Sequence, residues 1–342
     1  GMSPERRDAF FAREDVKGWL ANVRAIGRTV GQTRTVSGQE LLIPEVVLPL
    51  IRDSVNKNSK LMKHVNVQRV GGTARQIIMG DIPEAVWTEM CKKLNELKLD
   101  FSAAEVDGYK VGGYIAICNA VLDDSDINLA TVIIDALGQA IGYAVDKAIV
   151  YGKGTKMPMG FVTRLAQTEA PADAPANARE WKDLSTSNIQ TVPEATGSKL
   201  FAAIVKAASA AKAKNGNGKF WVMNEATYGS LMAELITFNS AGAIVSGMNM
   251  QMPVVGGQIE ILDFMPDNNI GFGYGSKYLL AERAGTAIES SEHVRFIEDQ
   301  TVFKGTARMD GMPVIEEAFV LMGIHGTAPT TSINFTADLA NQ

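Results

Sequence analysis

Residues 126–151 read DINLATVIIDALGQAIGYAVDKAIVY, and this stretch decides the fold. Leu129, Ile133, Ala136, Leu137, Ala140, Ala144 and Ala148 recur at the spacing of one helical face. Val132, Ile134, Ile141, Val145 and Ile149 fill much of the remaining circumference, the pattern of a helix held between two layers of protein. Ser125 is placed to cap the first turn, Asp126 suits the positive end of the helix dipole, and Gly152 is placed as the stop. At 1.5 Å per residue such a helix is about 39 Å long, more strut than pocket wall. Asp135, Gln139, Asp146 and Lys147 interrupt the run, and charges at membrane depth are costly, so no membrane span is read here. Gly138 and Gly142 stand one turn apart and predict close approach of a neighbouring segment.

The whole chain has 342 residues, enough for one large domain or two to three ordinary ones. Its hydrophobic content of 46% and charged content of 21% are those of a globular protein. A net charge of −5 excludes a strongly basic nucleic-acid surface. Cys91 and Cys118 are the only cysteines, which excludes a disulfide framework and points to a reducing compartment. Gly1 before Met2 reads as an expression scar, and the charged residues that follow lack the apolar core of a signal peptide.

Outward from the helix, toward the N-terminus, residues 3–27 begin with Ser3 and Pro4 at a helix start. Val16, Trp19, Leu20, Val23 and Ile26 then share one face. The Gly-, Thr-, Arg- and Ser-rich stretch 27–40 reads as a linker, so the helix before it is expected to be an arm that docks on another subunit. Helical spacing returns at Val46, Val47, Leu50, Ile51 and Val55. HVNVQRV and ARQIIM, joined by Gly71-Gly72, predict a hairpin over 64–79. Residues 80–113 mix charge with isolated apolars such as Trp87, Leu94 and Leu97, and 98–102 alternates like an exposed strand. This predicts a long two-stranded flap, after which 114–122 returns as a buried strand.

Toward the C-terminus, residues 151–165 read as a turn-rich loop. Gly-Lys-Gly-Thr-Lys lacks the phosphate-loop spacing and follows a helix instead of a strand, so no phosphate site is read there. Residues 166–196, rich in Ala, Pro and Thr, read as a mobile loop or insertion. An amphipathic helix with Leu200, Ile204, Ala207 and Ala211 in register then opens a unit of helices and strands. Strands are expected at KFWVMN and at 259–263, 270–274, 277–281, 294–297 and 301–309, with a last strand or pair over 312–324 and a polar tail over 327–342. Helices flanking a sheet in this order make the class α+β.

No chemistry-bearing constellation stands out. His64, His293 and His325 have no metal-ligand spacing and read as surface or strand-end residues. Gly271, Gly273 and Gly275 resemble half a dinucleotide fingerprint, but no helix follows, so strand–turn–strand is the better reading. Asp123, Asp124 and Asp126 have a sufficient reason in the helix dipole. No catalytic, cofactor or metal residues are assigned, and the balance tilts toward a structural protein.

The order of strings is more specific than any one of them. A flap with EAVWTE is followed by GYIAICNAVLDDSDINL, a long helix ending DKAIVYG, and GTKMPMGFVTRL. Later come FWVMNEATYGSL, LDFMPDNNIGFGYGSKYLLAERAG and VRFIEDQTVFKGTARMDGMPVIEEAFVLM. From about Leu41 to Ile324 the chain resembles the major capsid proteins of tailed bacteriophages with the Hong Kong 97-type fold. The resemblance implies an N-terminal arm over 1–40, an E-loop over 76–112 and an axial (A) domain over 198–305. The peripheral (P) domain with the spine helix would take 41–75, 113–197 and 306–326, leaving 327–342 as tail. It implies a shell of pentamers and hexamers around double-stranded DNA that is held without sequence-specific contact. Further implied partners are a scaffold, a portal and a maturation protease, with assembly in the bacterial host cytoplasm and no membrane. Whether a scaffolding segment was removed ahead of Leu41 or the scaffold is separate stays open. Trp19, Leu20, Trp87, Lys92, Lys93 and Lys98 are the candidate subunit-interface residues; no partner asparagine matches for a covalent crosslink from the lysines. The rival readings are an encapsulin-type shell around enzyme cargo and an α/β enzyme whose site is invisible in sequence.

Overall fold

The computed structural model describes residues 55, 58–70, 74–79, 101–106, 109–118, 128–171, 180–213, 216–238, 250–253, 255–295 and 297–337. The arm, the Gly71-Gly72 turn, the outer flap and Ser125 lie outside the described residues. The chain divides into two compact units. The first takes residues up to Lys63, Gly108–Lys147 and Glu282–Met309; the second takes His64–Asp107, Ala148–Ala281 and Asp310–Gln342.

Four strands, β1 (Asn66–Val70), β2 (Ala74–Met79), β3 (Phe101–Val106) and β4 (Tyr109–Cys118), precede the long helix α1, Asn128–Tyr151. In the first unit α1 buries Leu137, Ile141 and Val145, while Gln139, Ala140 and Tyr143 are exposed. The expectation of a helix covered all round is corrected: this part is covered on one side. A cover does lie on that side, because a Cβ placed on Gly305 of β10 (Gln300–Pro313) would sit 3.3 Å from Leu137. Gly142 meets its expectation of close approach, since a Cβ there would come 2.9 Å from the Ser59 backbone nitrogen. Gly142→Ala is therefore expected to lower unfolding free energy by about 1–3 kcal/mol, read from chemical denaturation. Gly152 does end the helix. Its backbone is not left-handed; glycine is required there because a side chain would run into the Pro158 and Ala148 carbonyls.

β10 pairs antiparallel with β4, from Gln300 opposite Cys118 to Met309 opposite Tyr109. β4 is not the buried strand expected, because Tyr114 is 62% exposed. β9 is a single strand, Tyr278–Arg295, where two separate pieces were expected. Its middle lacks apolar alternation, and pairing with a neighbour stabilises it where its own side-chain pattern does not. The 64–79 hairpin is also corrected. β2 pairs with β3, from Ala74 opposite Val106 to Met79 opposite Phe101, while β1 belongs to another sheet. A Gly-Gly step signals a change of direction, but the partner strand is chosen by the chain that returns to it. The two-stranded flap is thereby present at its base.

The second unit is built on a five-stranded sheet in the order β5-β11-β8-β6-β7, with β5 at Ile189–Thr191, β6 at Lys219–Met223, β7 at Gln258–Ile261, β8 at Asn269–Tyr274 and β11 at Phe319–Gly323. Pairing is mixed: β11 is parallel to β5 and antiparallel to β8, and β6 is antiparallel to β8 and parallel to β7. Helix α3 (Gly197–Ala208) buries Leu200, Ile204 and Ala207, the face its periodicity predicts, into a core with Trp221 and Phe272. Helix α4 is Glu225–Phe238. Phe161, Phe220, Phe319 and Tyr278 form an aromatic cluster. The glycines of β8 have their reason here: a side chain at 271 would strike Val222 and crowd Phe161, and one at 273 would strike Phe319; at Gly275, just past the strand, it would strike the His64 backbone.

Two loop expectations are corrected. Phe161–Ala166 is a short helix, α2, with Phe161 and Leu165 fully buried. Of 166–196, residues 172–179 lie outside the described residues, and the part from 180 on is tied in. Asn188 donates from its amide to the Phe319 carbonyl at 2.7 Å, and β5 adds an edge to the sheet. The tail is anchored as well, the Thr330 N–H donating to the Asn269 side chain at 2.7 Å. Polar composition predicted mobility; backbone hydrogen bonds to a buried sheet oppose it.

Candidate assembly surfaces

Each unit is held rigid by a few buried polar contacts. In the first unit the Asp146 carboxylate, on the spine helix, is 3% exposed. It accepts from the Ser59 hydroxyl at 2.6 Å, the Lys60 N–H at 2.8 Å and the Leu61 N–H at 3.0 Å. Ser59 Oγ accepts in turn from the Met62 N–H at 3.2 Å. Gly142, one turn earlier, provides the room for this approach. Burial raises the Asp146 pKa above its ordinary value, against the hydrogen bonds from Ser59, Lys60 and Leu61, which lower it. The residue that seemed to interrupt an apolar stripe is the tie that fixes the helix to the segment before β1.

The β9–β10 turn of this unit is organised around Arg295. Its guanidinium lies 3.6 Å from Glu298, donates to the Gln300 side chain at 3.1 Å and sits 6.0 Å from the Tyr114 ring centre. Asp299 adopts a left-handed φ of 49°, which closes the turn. The turn holds Ile297 98% exposed; Val294 on β9 and Tyr114 on β4 are 71% and 62% exposed. Ile297 on its braced turn is a candidate assembly contact. Sequence reading missed all three. The signal was legible only in part, as the apolar pair Phe296-Ile297 between Arg295 and Glu298.

In the second unit, His64 is not the surface residue expected. Its Nε2 lies 2.8 Å from Glu260 Oε1, its ring stacks on Phe220 at 5.6 Å, and both side chains are largely buried. His325 lies just past β11, as a strand-end residue should, and the His293 side chain is outside the description. Arg164 of α2 reaches Glu316 at 3.3 Å and lies 5.1 Å from the Trp181 ring, while Lys182 pairs with Glu317 at 2.7 Å. The Tyr278 hydroxyl donates to the Met159 carbonyl at 2.9 Å. Burial, with the Asp310 charge beside it, pushes that phenol's pKa well up. These contacts brace a scaffold and converge on no reacting atom.

Among the described residues no His, Cys, Asp and Glu cluster suits a metal ion, and no helix is long and apolar enough to cross a membrane. Trp19, Leu20, Trp87, Lys92, Lys93 and Lys98 all lie outside the described residues, so the structure neither gathers nor separates them.

The model of the phage capsid family matches residues 39–324. The chain belongs to the phage capsid family. The fold of this capsid protein is the Hong Kong 97-type α+β fold, as the resemblance implied. The capsid of an empty GTA particle is similar at a TM-score of 0.57, with 18% identity over 88% of this chain and 97% of that one. Structures described as Mycobacterium phage Adephagia (TM-score 0.56, 14% identity, 90% of this chain, 98% of that one) and Microbacterium phage Oxtober96 (0.55, 13%, 88%, 98%) share the fold. No curated protein matches in sequence. This capsid protein is a structural shell subunit that assembles with itself, and its place is the virion capsid. The encapsulin alternative is not favoured.

Proposed function

We propose that this capsid protein closes into pentamers and hexamers that build an icosahedral shell around double-stranded DNA, and that it carries no catalytic activity. The family match over 39–324 carries the reading. The mild net charge of −5 is consistent with a surface that does not cling to the duplex it encloses. Assembly takes place in the host cytoplasm with a scaffold, a portal and a maturation protease as partners, and without a membrane. Trp19 and Leu20 on the arm, and Trp87, Lys92, Lys93 and Lys98 on the flap, contact neighbouring subunits. The spine helix and the β4–β10 ladder form the peripheral domain; the five-stranded sheet with α3 and α4 forms the axial domain. Residues 282–305, assigned to the axial domain from sequence, group with most of the spine helix in the first unit, and we place them in the peripheral domain.

Negative-stain microscopy of the concentrated protein tests this: shells or five- and six-membered rings are expected, and monodisperse monomer at every concentration overturns it. Deleting residues 82–99 leaves the β2–β3 ladder intact and is expected to give a protein with an unchanged melting temperature that forms no rings in sedimentation velocity. Loss of cooperative unfolding would place that segment in a core instead.

A further inference from the structure

We infer that Asn217 is a site of spontaneous covalent modification, in which its side-chain amide is lost to attack by the Gly218 nitrogen and Ser276 sets the pace. Residues 215–218 read Asn-Gly-Asn-Gly, just ahead of β6. Asn217 and Gly218 are both exposed. Gly218 has a left-handed φ of 69°, which is the conformational reason for a glycine there. The same choice of residue removes the side chain that would shield the Gly218 nitrogen from the amide before it. No described residue accepts a hydrogen bond from the Gly218 N–H, so that nitrogen is not engaged elsewhere among them. Asparagine is a thermally labile residue, and an unshielded nitrogen next in the chain is what exposes its lability.

The chemistry balances with water as the only co-reactant. The Gly218 nitrogen bonds to the side-chain carbonyl carbon of Asn217 and gives up its proton. The amide nitrogen departs with that proton as ammonia and leaves a cyclic imide. Water then opens one of the two carbonyl–nitrogen bonds of the imide. Opening at the side-chain carbonyl gives an aspartate at position 217. Opening at the main-chain carbonyl gives an isoaspartate, whose main chain runs through the former side chain. Either product adds one negative charge to the exposed turn.

Ser276 opposes the ring closure. Its hydroxyl accepts from the Asn217 N–H at 3.2 Å and donates to the Asn217 carbonyl at 3.0 Å, and its own N–H lies 3.4 Å from that carbonyl. The Gly275 N–H donates to the Gly218 carbonyl at 2.9 Å, which continues the β6–β8 pairing past Lys219 and Tyr274. Closing the imide turns the peptide plane between 217 and 218, so the Asn217 carbonyl must leave Ser276 first. The reaction in the folded chain is therefore limited by local opening of this turn. It needs only the folded chain, so it stands whether or not the protein assembles.

Peptide mapping of the intact protein, aged in mildly alkaline buffer made with isotopically labelled water, tests this. A lysine-specific protease used at mildly acidic pH releases residues 215–219 as one peptide, and fragmentation separates Asn215 from Asn217. Conversion at Asn217 is expected, with solvent oxygen incorporated and isoaspartate among the products, more slowly than in a synthetic peptide of residues 212–221. Ser276→Ala is expected to convert at about ten times the unmodified rate, the change when two hydrogen bonds no longer hold the turn. Ser276→Thr keeps the hydroxyl and is expected to convert at the unmodified rate. An Asn217 that stays an amide while the synthetic peptide converts fully, or conversion confined to Asn215, overturns the site. Equal rates for Ser276→Ala and the unmodified chain overturn the part assigned to Ser276. A Ser276→Ala chain that no longer melts cooperatively traces its faster rate to unfolding and also overturns that part.

Discussion

Replacing Asp146 by alanine is expected to cost the fold about 3–5 kcal/mol, the range for removing one partner from a buried charged network. The Ser59 hydroxyl and the Lys60 and Leu61 N–H groups would all lose their acceptor, and the first unit would lose the tie between its helix and the segment before β1. The pH dependence has a definite sign. Asp146 has a raised pKa, so the folded state holds its proton more tightly than the unfolded state does. Such a carboxyl contributes most below its ordinary value of 3.8, and that contribution is lost as pH rises through the raised folded value. The deficit of Asp146→Ala relative to the unmodified protein should therefore grow as pH falls from neutral toward that ordinary value. Urea denaturation of both proteins across that range reads it. A deficit that shrinks on acidification would mean that the three hydrogen bonds outweigh burial.

Phe319→Ala is expected to cost about 3–5 kcal/mol as well, for a different reason: it opens a cavity. Phe319 is fully buried, with ring centres at 5.1 Å from Phe161 and 6.4 Å from Phe220 and Tyr278. β8 has no side chain at 273, where a Cβ would strike the Phe319 ring, so that position cannot fill the void. The loss should appear in the second unit, as quenched or shifted Trp221 fluorescence and an earlier melt. A melting temperature within a degree of the unmodified protein would show that the cluster is not the core of that unit. The contrast between the two variants is informative. The first fails by stranding donors and depends on pH; the second fails by losing contact area and does not.

How much of this was legible beforehand depends on whether the governing interaction is local. The existence of the helix over 128–151 and of β6 and β8 follows from local apolar runs, and for α3 the element's own period also states which side is buried. Gly142 was legible as a point of close approach, but its partner, Ser59, was not. Asp146 read as a flaw in an apolar stripe, since a carboxylate's value depends on donors that lie 85 to 87 residues away in the chain. β2 was matched to the wrong strand because the turn signal is local and the pairing is not. β9 was read as two fragments because its polar middle is a strand only by virtue of a neighbour. The exposed knob at Ile297 was missed for the complementary reason: an isoleucine between Phe296 and Glu298 looks the same whether a turn buries it or braces it outward.

By itself, then, the sequence determined the class, the strut and, through the order of its strings, the family. Each of these is a one-dimensional property, carried by period, composition or order along the chain. The tertiary structure alone decided that Asp146 is a tie, that Gly273 makes way for the Phe319 ring, and that Arg295 braces a turn to hold an apolar side chain in solvent. Those outcomes depend on which distant groups meet and at what distance, because desolvation, hydrogen bonding and packing all act over a few ångströms of space and take no account of separation along the chain.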